Sequence, residues 1–134
     1  MVPAEDLRRL AGPILVVEDD DDTRDALCQV LRGQGYDTLC AADGDEALRW
    51  LGRARPRLII TDLSMPGMNG WQLLQQVRSH PVWLDIPVIV LSADSPPPLE
   101  DICFMQKPVP AARLLKEIAV QLGPRTSLED APAA

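Results

Sequence analysis

No stretch of this 134-residue chain approaches the roughly 18 uninterrupted apolar residues of a membrane span. Met1 to Leu10 mixes acids with arginines where a signal peptide would carry an apolar core. Both absences predict a cytoplasmic protein. A basic patch is missing as well, because the formal net charge is −7 and the 13 lysines and arginines do not cluster. Direct nucleic-acid binding, which depends on neutralising phosphates, is disfavoured, and no basic output module is expected. Cysteine is scarce: Cys28, Cys40 and Cys103 are widely spaced, odd in number and in no metal-ligand pattern. They are expected to stay reduced, as small buried hydrophobes. The lone histidine, His80, stands beside Pro81 in a loop-like stretch and is expected to be a surface residue without a chemical role.

What is present is enough apolar residue, 46% of the chain, for one domain with one core and no staples. Apolar runs bounded by turn residues alternate with helix-period segments, the pattern of βα units around a parallel sheet. Strands are predicted at Ile14 to Val17, Thr38 to Ala41, Leu58 to Thr61, Val88 to Leu91 and Ile102 to Gln106. Between them, Asp22 or a neighbour can cap a helix whose Ala26, Leu27, Val30 and Leu31 recur at one face and which Gly33 and Gly35 end. Asp43 and Glu46 resemble a capping box ahead of Ala47, Leu48 and Leu51. Met65 to Gly70 reads as a loop, Trp71 to Arg78 as a helix, and Pro110 fits the first turn of a last helix carrying Leu114, Leu115, Ile118 and Leu122. The expected organisation is an extension over residues 1–12, a domain over 13–123 and a disordered tail over 124–134.

Right-handed crossovers bring the carboxyl ends of parallel strands to one rim, where ligands bind. The residues at those ends are Glu18 and Asp19, Asp62, Ser92 and Lys107. Glu18 to Asp22 is an unbroken acidic run, and like charges this close are destabilising unless neutralised. Asp20, Asp21 and Asp22 are accounted for more simply, as acids at a helix N-terminus where the dipole favours them. Glu18 and Asp19 stand at a strand end among other polar strand ends, so a hard divalent cation, Mg²⁺ or Mn²⁺, suits them; the site offers oxygen donors and no His or Cys. Taken singly, Asp62 can begin a turn, Ser92 can satisfy a strand end and Lys107 can be a surface lysine. Together they form a set able to accept a phosphoryl group. Asp62 would be the nucleophile, Lys107 a point charge and Ser92 a hydroxyl donor.

These segments resemble the receiver domains of two-component response regulators over about Pro13 to Leu122. Ile14 to Asp20 is similar to the family's opening acidic motif, and Leu58-Ile59-Ile60-Thr61-Asp62-Leu63-Ser64-Met65-Pro66-Gly67-Met68-Asn69-Gly70 to its phosphoacceptor motif. Ile86 to Ala93 resembles the strand that ends in a hydroxyl, and Phe104-Met105-Gln106-Lys107-Pro108 the Lys-Pro turn. The resemblance implies a doubly wound, flavodoxin-like α/β fold with a five-stranded parallel sheet in the order 2-1-3-4-5. It implies that Asp19 binds the cation directly, Glu18 directly or through water, and that Asp62 and the backbone carbonyl of Ser64 complete the protein ligands. It also implies phosphoryl transfer to Asp62 from a histidine kinase or phosphotransfer protein, with Ser92 and Lys107 on the phosphoryl oxygens. Ser92 and Phe104 would be the switch pair, although core packing accounts for Phe104 equally well. Ser64 and Asp94 would tune dephosphorylation.

One departure stands out. Lys107 follows Ser92 by 15 positions (107 − 92), which falls short of the family's usual spacing by roughly two helical turns. Ser95-Pro96-Pro97-Pro98 cannot continue a helix, since prolines lack the N–H donor and push preceding residues to extended conformations. The fourth helix is therefore expected to be absent or vestigial. With it goes the usual dimer face, so a monomer is expected, signalling through an unidentified downstream protein. Two other functions share parts of this pattern. A Mg²⁺-dependent phosphohydrolase would carry a second Asp two residues past its nucleophile on the first strand, where this chain has Ser64 after the third strand. A phosphorylation-independent scaffold would not need the acceptor residues that are present.

Overall fold

The computed structural model describes residues 12–65, 67–93 and 102–122. In chain order they form β1 (Ile14–Val17), α1 (Asp21–Gly33), β2 (Thr38–Ala41), α2 (Gly44–Arg53), β3 (Leu58–Asp62), α3 (Gly70–Ser79), β4 (Val88–Ser92), β5 (Cys103–Gln106) and α4 (Ala111–Leu122). The strands make one parallel sheet in the order β2-β1-β3-β4-β5, the flavodoxin-like arrangement. Four helices are present among the described residues. Residues 94–101, where the loss of a further helix is expected, lie outside them, as do the N-terminal extension and the tail.

Strand residues point alternately to opposite faces, and the alternation sorts the core into two layers. Ile14, Val16, Leu58, Ile60 and Ile89 pack with Cys28 and Leu31 of α1 and Leu114 and Ile118 of α4. Leu15, Val17, Ile59, Val88 and Val90 pack on the other face with Ala47 and Leu51 of α2 and Leu73, Leu74 and Val77 of α3. Burial on both faces explains why β1 and β3 read as continuous branched runs. Each fully buried side chain of this size contributes about 1.5–3 kcal/mol relative to exposure. This double layer, rather than any single polar contact, holds the sheet.

Local signals set the helix ends. Asp20, not Asp22, caps α1, its Oδ2 accepting from Thr23 N (2.9 Å) and Thr23 Oγ1 (2.6 Å). Of the expected stripe of α1, Leu31 is buried and Leu27 packs half-buried against the core, and Cys28 is buried beside them, whereas Ala26 is exposed. At the other end Gly35 takes φ 87°, the left-handed turn that glycine adopts without steric cost. Asp43 caps α2 through Glu46 N (2.8 Å). A full capping box opens α3, with Asn69 Oδ1 accepting from Gln72 N and Gln72 Oε1 from Asn69 N, both at 2.9 Å. Pro110 stands just ahead of α4 and its carbonyl accepts from Leu114 N at 3.1 Å. The expectation of three free thiols is not met. Cys28 on the sheet-facing side of α1 meets Cys40 on β2, and the two form a disulfide; Cys103 is free. Fixing α1 over β2 brings these two sulfurs together, a relation that sequence spacing does not show.

Candidate functional site

β1, β3 and β4 end at the same rim of the sheet, and the register fixes how far each reaches. Val17 pairs with Thr61, so Glu18 and Asp62 each follow one step later on adjacent strands. Asp62 pairs with Leu91, and Ser92 with Gln106. Lys107 then follows Gln106, its N–H donating to the Ser92 carbonyl at 2.7 Å. Gly70 lets the first turn of α3 approach this rim: a Cβ there would lie 2.5 Å from the Asp62 carbonyl oxygen. The space between the β3 end and α3 therefore requires glycine.

Lys107 Nζ lies 3.0 Å from Glu18 Oε1 and 3.3 Å from Asp62 Oδ2, so one ammonium bridges two acids from two strands. The Glu18 side chain is 5% exposed and that of Asp62 12%, whereas Lys107 keeps 30% exposed. Burial raises the Glu18 carboxyl above its usual range, against the lowering effect of Lys107, and the Asp62 charge adds to the rise. Burial alone would lower the Lys107 ammonium, but Glu18 and Asp62 outweigh it and hold the lysine charged. Asp19 completes the cluster. Carboxylate oxygens of Glu18, Asp19 and Asp62 all fall within 4.8 Å of one another. One lysine does not balance three acids.

The remaining candidates are placed as follows. Ser92 is buried at the end of β4. Ser64 is exposed two residues past β3. Phe104 in β5 is half-buried on the α2–α3 side and packs on Trp71 of α3, with ring centroids 5.6 Å apart at 46°. Asp94 lies outside the described residues. The Lys107–Pro108 peptide bond is cis. His80 is half-buried and stacks on Trp83, with ring centroids 3.7 Å apart, while its Nδ1 accepts from Val82 N. It therefore orders the loop between α3 and β4.

One residue of this rim escapes a reading by motif. Arg24 of α1 donates from Nη1 to the Glu18 carbonyl (2.9 Å) and from Nη2 to Asp21 Oδ1 (2.5 Å). The available signal was a lone basic residue in the first turn of a helix, where the dipole disfavours a cation.

A family model of the response regulator receiver domain matches residues 14–119. This chain belongs to the response regulator receiver domain family. Among solved structures, the receiver is similar to the chemotaxis protein CheY4 of Vibrio cholerae, at 28% identity and TM-score 0.76, over 81% of this chain and 97% of that one. It is also similar to the receiver domain of a signal transduction histidine kinase from Syntrophus aciditrophicus, at 36% identity and TM-score 0.76, over 83% and 89% of the two chains. Among curated relatives, the DNA-binding response regulator MtrA of Mycolicibacterium smegmatis is 40% identical over 80 residues. That match takes in 60% of this receiver but spans only 34% of the length of MtrA. Receiver domains are signalling domains, and this one contains no helix, among the described residues, long and apolar enough to cross a membrane.

Proposed function

We propose that this receiver accepts a phosphoryl group on Asp62 from a histidine kinase or phosphotransfer protein, in a cytoplasmic, Mg²⁺-dependent reaction, and signals by protein–protein contact. The observation that supports it most is the bridge from Lys107 Nζ to Glu18 and Asp62, at 3.0 and 3.3 Å, beside a third carboxylate. Such a cluster is costly for a fold to keep without a purpose. An Asp62 oxygen attacks phosphorus, and the O–P bond forms as the P–N bond of the donor phosphohistidine breaks. The electron pair returns to the imidazole nitrogen, which takes up a proton. The carboxylate sits at the end of β3, anchored on both sides by parallel neighbours, so its position is set by the sheet rather than by a loop. Phosphoryl transfer asks mainly for such positioning and for charge stabilisation.

Lys107 supplies one positive charge toward the phosphoryl oxygens, and Ser92 a hydroxyl donor. Glu18, Asp19, Asp62 and the Ser64 carbonyl fit a hard cation, since every donor is oxygen and the carboxylates are close enough to share one ion. Bound there, Mg²⁺ would neutralise charge that a single lysine leaves uncompensated. Ser92 and Phe104 are the proposed switch pair, and Ser64 and Asp94 the positions that tune loss of the phosphoryl group. Residues 13–123 are the proposed extent of the domain, acting as a monomer.

The test is incubation with a small acyl phosphate and Mg²⁺, read by intact mass. Wild type should gain one phosphoryl group while Asp62→Asn gains none. Turnover of external phosphoesters would instead favour a phosphohydrolase, and no modification a scaffold.

A further inference from the structure

Arg24 is the fourth residue of α1, and no other lysine or arginine occurs between residues 18 and 31. A cation there works against the helix dipole, so its place calls for a compensating interaction. Its guanidinium supplies one. Nη1 donates to the Glu18 carbonyl at 2.9 Å and Nη2 to Asp21 Oδ1 at 2.5 Å, with the Arg24 side chain 17% exposed and that of Asp21 81% exposed. The Glu18 N–H is held independently by the Ala41 carbonyl at 3.0 Å. Asp20 N donates to Glu18 Oε2 at 3.3 Å. The Glu18 carbonyl belongs to the peptide that joins Glu18 to Asp19. Fixing that plane fixes the N–Cα bond of Asp19, the axis about which its side chain turns, while Ala41 fixes the Glu18 side of the same turn.

We infer that Arg24 is a positioning residue for the cation site: its guanidinium clamps the Glu18–Asp19 peptide so that both carboxylates face Asp62 before any ion arrives. This deepens the function proposed above and rests on it. A planar fork with several donors can hold a carbonyl and a carboxylate at once; a lysine ammonium on a flexible stem does so poorly. Arg24 also brings a positive charge close to the acids, and charge alone would repel a divalent ion. The two effects predict opposite signs when the side chain is neutralised.

The test is calorimetric titration of Mg²⁺ into metal-free wild type, Arg24→Gln and Arg24→Lys, with thermal unfolding in chelator as the control. Clamping predicts that Arg24→Gln weakens Mg²⁺ binding roughly tenfold, in the range typical of lost outer-sphere support. Arg24→Lys loses the planar fork but keeps the charge that repels a divalent ion, so it should weaken binding at least as much. Unchanged or tighter binding in Arg24→Gln overturns the inference while leaving the phosphoacceptor reading in place. Should Arg24→Gln fail to fold, Arg24→Lys decides, and wild-type affinity in it overturns the clamp. Absence of Mg²⁺ binding by wild type would overturn both the clamp and the proposed cation dependence.

Discussion

At the amino-end rim of the sheet, Arg78 donates from Nη1 to the carbonyls of Leu84 (2.8 Å) and Ile86 (2.9 Å), and Arg57 lies 5.2 Å from the centre of the Tyr36 ring. At the carboxyl-end rim, Glu18 and Asp62 share Lys107, and Asp19 stands beside them. The arginines of the first rim meet carbonyls and a ring face, partners that bring no charge of like sign. In the second, like charges are packed together and only partly compensated. The contrast separates residues that hold the fold from residues held by it. Substitution of the arginines at the amino rim should cost stability and spare chemistry, and substitution of the charged side chains at the carboxyl rim should do the reverse.

The largest expected effect is at Asp62. Asp62→Asn should abolish phosphorylation by a small acyl phosphate, yet leave the metal-free unfolding temperature unchanged or higher, because one of three crowded charges is gone. A fall in that temperature would blur the contrast between the rims. Lys107→Met comes next. Phosphorylation should slow ~100-fold, as expected when one preorganised stabilising group is lost. Thermal scans with and without Mg²⁺ should show a larger Mg²⁺-induced stabilisation than in wild type, since the acids then lack their internal cation.

Gly70→Ala tests the packing that shapes the same rim. Its Cβ would meet the Asp62 carbonyl oxygen at 2.5 Å and the Leu63 Cα at 2.8 Å, so denaturant melts should show a loss of about 1–3 kcal/mol. Smaller still is Arg78→Ala at the opposite rim. Losing its bonds to two carbonyls should cost about 1–2 kcal/mol in the same melts, with Mg²⁺ affinity unaltered. A changed affinity would show that the two rims are coupled.

Much of this was legible in the amino-acid order, for identifiable reasons. β1 and β2 were predicted with the bounds they have, because short branched or apolar runs between turn residues have few other solutions. Glu18, Asp62 and Lys107 were expected to converge, since parallel strands deliver their carboxyl ends to one rim. In α1, Leu31 and Leu27 meet the core as the helical period implies, while Ala26 is exposed; so small a side chain carries little signal, and only packing shows which way it faces. The Cys28–Cys40 pair depends on how α1 lies over β2, a relation no spacing rule encodes. Arg24 carries no such signal, because its bond runs to a backbone carbonyl, which leaves no mark in side-chain chemistry. The connection between β4 and β5 is where the order of residues was most unusual, and the described residues on either side, Ala93 and Ile102, bracket it.

The most direct test is a crystal structure with Mg²⁺ and beryllium trifluoride, a stable mimic of a phosphoryl group on a carboxylate. The account predicts the fluoride adduct on an Asp62 oxygen, with Lys107 and Ser92 against the fluorines and the metal ion held by Glu18, Asp19, Asp62 and the Ser64 carbonyl. An adduct on another acid, or Lys107 turned away from an occupied Asp62, would contradict it.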